Sequence, residues 1–253
     1  MKSIFEMMKS VERVGERTCE QCGSIVPIYK NNGKEVSICM TCENNQLQKK
    51  TMQFYEERKN RAIERLIKKY ETLPYNEPIT FDDYQPQTAS QKEAKNIAMS
   101  FADMKETTLF LQGKPGVGKT HLSWCLADGW HKTSLFVDMP GLLGTLRSSF
   151  NRGSTFSEEE LFRLIGDVDL FVLDDIGAEY ARNENGMESW VADILYRIVN
   201  TREGKRNIYT TNYRGKELQQ KYGNLSGRII SRMMSNAKIV KIDGQDYRLK
   251  GLD

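Results

Sequence analysis

Gly113-Lys114-Pro115-Gly116-Val117-Gly118-Lys119-Thr120 decides the fold of this chain, because it is a complete G-x-x-x-x-G-K-T phosphate loop. Glycines let backbone amides turn inward around a phosphate, and the following helix presents its positive N-terminus. Lys119 is expected to reach the β- and γ-phosphates, and the Thr120 hydroxyl to ligate Mg²⁺. The predicted nucleotide-binding residues here are Gly113, Pro115, Gly116, Val117, Gly118, Lys119, Thr120 and His121, with His121 packing near the loop and not acting as a base.

The surroundings of the loop favour this interpretation. A strand-like run, TLFLQG (108–113), precedes the loop, and a helix-like run, KTHLSWCLADGW, follows it. The alternative is a glycine-rich turn with no ligand, which the strand–loop–helix context disfavours.

A second apolar run, DLFVLDD (169–175), ends in two acids. Asp174 is expected to hold Mg²⁺ through water, and Asp175 to polarise an attacking water. The alternative is a pair of surface aspartates that end a strand. Asp175 is one methylene shorter than the Glu common at this position, so unaided hydrolysis is expected to be slow.

Strand-like runs alternate with helical segments in the rest of the chain, which predicts an α/β fold with a five-stranded parallel sheet covered on both faces. Asn212 ends the fourth run, where it can lie beside the phosphate loop and hold the attacking water or the γ-phosphate. A turn asparagine is the alternative. The predicted strands are 108–113, 134–139, 169–175, 207–212 and 238–244.

Arg228 and Arg232 lie four residues apart in NLSGRIISRMMSN, a spacing that places both on one helix face. They can simply be solvated. The interpretation favoured here is an arginine finger that completes a neighbouring copy's site, with Arg232 as the first candidate.

Four cysteines, Cys19, Cys22, Cys39 and Cys42, have the spacing C-x₂-C-x₁₆-C-x₂-C of a structural zinc site. Four thiolates close a tetrahedral shell, so this zinc is expected to stabilise a small domain and not to catalyse. Two disulfides are the alternative.

The regions that flank the cysteines are predicted to be helical. Residues 4–14 have the spacing of a short amphipathic helix, and a longer helix begins near Asn45. Between Lys49 and Lys69 there are eight Lys or Arg against three Glu, a net charge of +5, which suits an acidic partner, DNA or simple solubility.

Three prolines within residues 71–90 predict a linker, so the expected domains are 1–70, 71–90 and 91–253. A formal net charge of +3 does not by itself indicate nucleic-acid binding. The N-terminus lacks the apolar run of a signal peptide, and a cytoplasmic location is expected.

The motifs GKPGVGKTHL, LFVLDDIGAE, TTN, GRIISRM and DYR together resemble bacterial and phage replicative helicase loaders, the DnaC/DnaI group of AAA+ ATPases. The IstB group of transposition helper ATPases shares most of this core. The resemblance covers roughly residues 75–253. It implies an AAA+ fold without a C-terminal helical lid, binding of ATP and Mg²⁺, self-association, and two partners: a hexameric DnaB-type helicase and single-stranded DNA.

The resemblance also implies roles for particular residues. Arg248, in DYR, resembles the arginine that reads the nucleotide state. Arg147 and Arg152 are candidate phosphate contacts in a DNA-lining helical insertion. The N-terminal zinc domain would dock the helicase.

Three alternatives remain at this point. A transposition helper would bind duplex DNA and a transposase, but that group usually begins with plain helices. A nucleotide-gated adaptor would bind ATP and hardly hydrolyse it. A metabolic kinase would need an acceptor-binding lid and a base, which the sequence does not suggest.

Overall fold

A computed structural model of the chain describes residues 11–31, 33–151, 153–179 and 187–249. The chain forms two compact units, and the division falls between Arg61 and Ala62. Among the residues described, no helix has both the length and the apolar composition needed to cross a bilayer.

The first unit contains a three-stranded antiparallel sheet in the order β1-β2-β3. The prediction of a helix over 4–14 is wrong for residues 11–14, because these residues belong to strand β1, which pairs with β2. A helix that short is marginal in water, whereas strand pairing satisfies the same groups. The rest of that prediction lies outside the described residues. The strands are β1 Val11–Thr18, β2 Ile25–Asn31 and β3 Lys34–Val36.

A long helix, α1, spans Met40–Tyr70 and begins earlier than the predicted start near Asn45. The reason is the cysteine cluster: the Glu43 N–H already donates to the Cys39 carbonyl (2.9 Å), so the first turn forms at the second cysteine pair. In the last turn, the Tyr70 hydroxyl donates to Glu160 Oε1 (2.7 Å).

The second unit is built on a five-stranded parallel sheet in the order β5-β6-β7-β4-β8. This confirms the prediction of five parallel strands. The order places β7 between β6 and β4, so the carboxyl ends of these three strands are neighbours at one edge of the sheet. The strands are β4 Thr108–Gly113, β5 Ser134–Asp138, β6 Leu170–Ile176, β7 Arg206–Thr211 and β8 Ala237–Ile242.

Helices cover both faces of this sheet because alternate side chains of its strands point to opposite sides. On β6, Phe171 and Leu173 belong to the hydrophobic cluster under α4 to α8, while Leu170 and Val172 belong to the cluster under α2 and α3. The helices are α2 Ala89–Ser100, α3 Lys119–Asp128, α4 Met139–Ser149, α5 Glu158–Asp167, α6 Met187–Thr201, α7 Gly215–Tyr222 and α8 Ser226–Met233.

The proline-bearing segment between α1 and α2 packs onto the second unit. The Thr72 N–H donates to the Phe136 carbonyl on β5 (2.9 Å), and Tyr84 is buried. The segment predicted as a linker, 71–90, therefore lies within the second unit, whose division from the first follows Arg61.

A fully buried arginine, Arg202, donates hydrogen bonds to several acceptors near the amino ends of the strands. Its guanidinium donates to Asn207 Oδ1 (2.8 Å) and to the carbonyls of Ile165 (3.0 Å), Val168 (2.7 Å) and Arg206 (2.6 Å). Burial lowers its pKa to about 10. One cation thus satisfies backbone acceptors at the end of α5 and the start of β7.

Arg202→Met is expected to lower the free energy of unfolding by about 3 kcal/mol, because buried acceptors lose their donor. Urea unfolding of the full chain, followed by circular dichroism, measures this loss. The control is Lys205→Met, which removes one exposed bond to the Gly166 carbonyl and should cost about 0.5 kcal/mol. Equal losses in the two variants would contradict the role of Arg202.

Candidate nucleotide site and cysteine cluster

The phosphate loop joins the end of β4 at Gly113 to the start of α3 at Lys119. Gly116 and Gly118 have φ angles of 74° and 95°, left-handed values that residues with side chains rarely adopt. In turns of this kind, successive backbone N–H groups form a concavity that suits an anion. The backbone therefore fits a bound phosphate.

The Lys119 ammonium group is the buried cation of this loop. It donates to the carbonyls of Gly113 and Lys114 (both 2.9 Å) and to Asn212 Oδ1 (2.6 Å). Burial lowers the pKa of Lys119, because removal from water disfavours the charged form. A buried cation bonded to neutral oxygens attracts an anion, so the side chain also fits a triphosphate.

Asn212 comes directly after β7, which pairs with β4 in parallel register, Gln112 opposite Thr211. The next residues along the two strands are therefore Gly113 and Asn212, and the Asn212 amide meets Lys119. The structure brings together these two residues, which the sequence separates widely.

Asp174 lies at the carboxyl end of β6 and is buried. Its Oδ2 accepts a hydrogen bond from the Thr120 hydroxyl (2.7 Å), and its Oδ1 accepts one from the Thr210 hydroxyl (2.6 Å). Burial raises the pKa of Asp174 to about 6, against the effect of the two hydroxyl donors. A carboxylate beside a hydroxyl supplies the hard oxygen ligands that Mg²⁺ prefers, so the Thr120–Asp174 pair fits this ion.

Asp175 has φ of 54°, which is uncommon for a residue other than glycine. Its N–H donates to Thr210 Oγ1 (2.9 Å). The chain then turns through Gly177, at φ of 96°. Unusual backbone angles concentrate at functional sites because the surrounding structure must hold them in place.

A buried glutamate, Glu179, closes this turn and was not singled out from the sequence. Its Oε2 accepts the Gly177 N–H (3.0 Å), and its Oε1 accepts the Tyr222 hydroxyl (2.8 Å). Lys221 Nζ lies 3.9 Å from Oε1. The turn after the paired acids is thus bonded to the end of α7.

The segment before α2 supports the phosphate loop from outside. The Tyr84 hydroxyl donates to the Val117 carbonyl (2.9 Å), and a β-carbon on Gly118 would overlap the Tyr84 ring. The His121 ring contacts the Thr80 carbonyl through Nε2 (2.9 Å). His121 therefore packs beside the loop, while Tyr84 was hidden in a stretch whose prolines suggested only a linker.

The last described turn, the 3₁₀ helix Tyr247–Leu249, also touches the loop. The Tyr247 N–H donates to the Gly116 carbonyl (3.1 Å), and a β-carbon on Gly116 would overlap the Asp246 carboxylate. Arg248 donates to Asp246 Oδ1 through its backbone N–H (3.0 Å) and Nε (3.3 Å). These bonds, the backbone one first, lower the pKa of Asp246. Arg248 thus reaches the loop region by way of Asp246.

The two arginines of α8 have different surroundings. Arg232 Nε donates to Asn200 Oδ1 (3.1 Å) and lies 3.6 Å from Glu203 Oε2, and its guanidinium packs over the Tyr196 ring. Arg228 is exposed. None of the hydrogen bonds seen in the described part of the chain joins either side chain to the phosphate loop.

Of the predicted DNA contacts, Arg147 lies on α4 with its guanidinium 5.4 Å from the centroid of the Trp190 ring. Arg152 lies outside the described residues.

The four predicted zinc ligands of the first unit come together. Their sulfur atoms all lie within 4.8 Å of one another, with Cys19 and Cys42 3.6 Å apart and Cys22 and Cys39 3.5 Å apart. All four are free thiols, so the structure does not contain the alternative disulfides. Sulfurs about 2.3 Å from a tetrahedral zinc lie at comparable separations, so the cluster fits Zn²⁺.

A phosphate loop after β4, a buried acid on β6 and a polar residue directly after β7, the strand between those two, define a nucleotide-binding P-loop core with the AAA+ fold. The IstB-like ATP binding protein model matches residues 37–252, and the chain belongs to that family.

The relatives of this chain include a helicase loader and a protein of an insertion sequence. The replicative helicase loader DnaC of Escherichia coli (strain K12) is 26% identical over 203 residues, which cover 76% of this chain and 79% of the loader. An ATP-binding protein of insertion sequence IS232 from Bacillus thuringiensis subsp. berliner is 26% identical over 243 residues, 93% of this chain and 90% of that protein. The sequence-based resemblance is confirmed.

Solved structures support the same fold. The crystal structure of DnaI matches with a TM-score of 0.52 at 24% identity, over 65% of this chain and 90% of that one. The DnaC helicase loader matches with a TM-score of 0.53 at 23% identity, over 65% and 96%.

Cys39→Ser is expected to reduce bound zinc from about one ion per chain to little or none, because three thiolates no longer close the shell. Metal analysis of the purified full chain measures this. The control is Cys125→Ser, since Cys125 is buried in the second unit with its thiol 3.8 Å from the Ile79 carbonyl. If Cys39→Ser kept as much zinc as the control, the site would be refuted.

Proposed function

We propose that this chain is an ATP-dependent loader that delivers a hexameric DnaB-type replicative helicase to single-stranded DNA during replication initiation. The observation that supports this best is a nucleotide-binding AAA+ core accompanied by a cysteine-cluster unit earlier in the chain. In the loader group that it resembles, the N-terminal zinc-binding domain contacts the helicase. Residues 1–70 are therefore assigned to helicase docking, in the bacterial cytoplasm, for a host or a phage.

ATP binding is assigned to the loop and to the start of α3. The amides of Gly116 and Gly118 surround the phosphates, and Lys119 neutralises them. Mg²⁺, when bound, would offset the negative charge of the phosphates. Thr120 and Asp174 are its proposed protein ligands, Asp174 through water. The other proposed contacts in this region are Gly113, Pro115, Val117 and His121.

Hydrolysis is assigned to groups around the γ-phosphate position. Asp175 polarises the attacking water, and Asn212, held by Lys119, orients it or the γ-phosphate. With only an aspartate as the polarising acid, turnover is expected to be slow until DNA or the helicase binds. Arg248 reports the nucleotide state from beside the loop.

Self-association through the AAA+ core would let α8 act on a neighbour. An exposed Arg228 can extend to another copy directly, whereas Arg232 must first leave Asn200 and Glu203. Either guanidinium would stabilise charge that develops on the transferred phosphoryl group.

A mixing experiment tests the trans role. Lys119→Ala is expected to abolish ATP turnover, and loss of the acting arginine, Arg228→Ala or Arg232→Ala, to reduce it roughly 10³-fold. Mixed together, the two variants should recover turnover above the sum of each alone, because one supplies the arginine and the other the nucleotide. The rate of phosphate release measures the turnover of each variant and of the mixture.

The matched control is Arg197→Ala, since Arg197 pairs with Glu158 on another helix (2.6 Å). This variant should keep its turnover. Turnover that does not recover in any mixture would mean that the arginines act only within their own chain, and undiminished turnover in Lys119→Ala would refute the nucleotide site.

The transposition-helper function is the second candidate, favoured by the IS232 relative, which matches 93% of this chain. Such a helper would prefer duplex DNA and bind a transposase. A nucleotide-gated adaptor, the third, would bind ATP without turnover even when single-stranded DNA is present.

Helicase binding separates these functions. The full chain is expected to co-purify with a DnaB-type hexamer, and Cys39→Ser to lose the complex at least tenfold while still binding ATP, because its defect lies in the first unit. Size-exclusion chromatography with a fluorescent ATP analogue measures both. Cys125→Ser is again the control. Duplex DNA preference without helicase binding would favour the helper.

A further inference from the structure

The paired acids of β6 lie in a β-bulge. In the ladder between β6 and β7, Leu173 is opposite Tyr209 and Ile176 is opposite Thr211, with a register shift between. Asp174 and Asp175 therefore face a single residue, Thr210. Bulges near active sites redirect side chains, and here the bulge leaves one backbone N–H without a ladder partner.

The Thr210 hydroxyl supplies the hydrogen-bond acceptor that this N–H lacks in the ladder. It accepts the Asp175 N–H (2.9 Å) and donates its proton to Asp174 Oδ1 (2.6 Å). Thr210 has no exposed surface, and its β-branched side chain has a restricted χ1 angle. One hydroxyl thus uses both its donor and an acceptor position on the two acids.

We infer that Thr210 is a positioning residue for magnesium-dependent ATP hydrolysis, because its hydroxyl fixes the orientation of Asp174 and Asp175 relative to each other. The inference rests on the proposed function. With the Thr210 bond to Oδ1 in place, Oδ2 faces the Thr120 hydroxyl, where the metal is proposed to bind. With the N–H of Asp175 held, its backbone keeps the left-handed angle that sets the direction of its side chain.

Two substitutions isolate the hydroxyl. Thr210→Ser keeps the hydroxyl and loses the methyl group, whereas Thr210→Ala loses both, so the pair differs by one oxygen atom. Thr210→Val adds a variant of unchanged shape. The control is Thr211→Val: Thr211 is also buried on β7, but its hydroxyl donates to the Ile176 carbonyl (2.6 Å) and to neither acid.

The experiment measures two quantities of the full chain against free Mg²⁺: ATP turnover at saturating ATP with single-stranded DNA present, and binding of a fluorescent non-hydrolysable ATP analogue. The half-saturating Mg²⁺ concentration is read from both. Thr210→Ala and Thr210→Val should raise the half-saturating Mg²⁺ concentration about tenfold and lower the maximal rate, since a hydrogen bond to a charged group is lost. Thr210→Ser should stay within about twofold of the wild type, and Thr211→Val should not change the half-saturating concentration.

Several results would overturn the inference. Thr210→Ala equal to Thr210→Ser would show that the hydroxyl has no role, and a Thr211→Val shift as large as that of Thr210→Val would show that any buried threonine of β7 matters equally. If Thr210→Val does not fold, the Ser and Ala variants decide alone. A wild-type chain with no Mg²⁺-dependent turnover would instead reject the proposed hydrolysis, and this inference with it.

Discussion

The buried ammonium of Lys119 is the constraint on which the rest of the second unit depends. Its charge has left bulk water, and backbone carbonyls of the loop and the Asn212 amide solvate it instead. These bonds need a left-handed loop on one side and the end of β7 on the other. The sheet order supplies both, because β7 pairs directly with β4. The position of one cation is thereby set by two strands nearly a hundred residues apart in sequence.

The same order explains how separate motifs form one site. Parallel strands place their carboxyl ends at one edge of the sheet, and helices on both faces exclude water from beneath it. Asp174 is consequently desolvated, and hydroxyls from α3 and β7 replace the lost water. The site is therefore a property of the sheet's end and not of any single loop.

The parts of the structure that could be predicted from the sequence are those whose residues are consecutive in the chain. The loop glycines, Lys119 and the buried run before Asp174 predicted the strands and the nucleotide site together. Tyr84 and Thr210 were not predictable in this way, because their roles are hydrogen bonds to residues 33 to 36 positions away. The prediction of a helix over 4–14 was wrong at residues 11–14, because the amphipathic pattern was short. These residues form part of β1, which pairs with β2.

The contact between Asp246 and Gly116 has a consequence for nucleotide affinity. A carboxylate at the rim of the phosphate loop places negative charge where a triphosphate brings more, and the like charges repel. A triphosphate in the loop would therefore repel Asp246 and, through the bond to Arg248, act on the last described turn. The affinity for ATP would then be the attraction of the loop less this repulsion, and salt, which screens exposed charges, would weaken both.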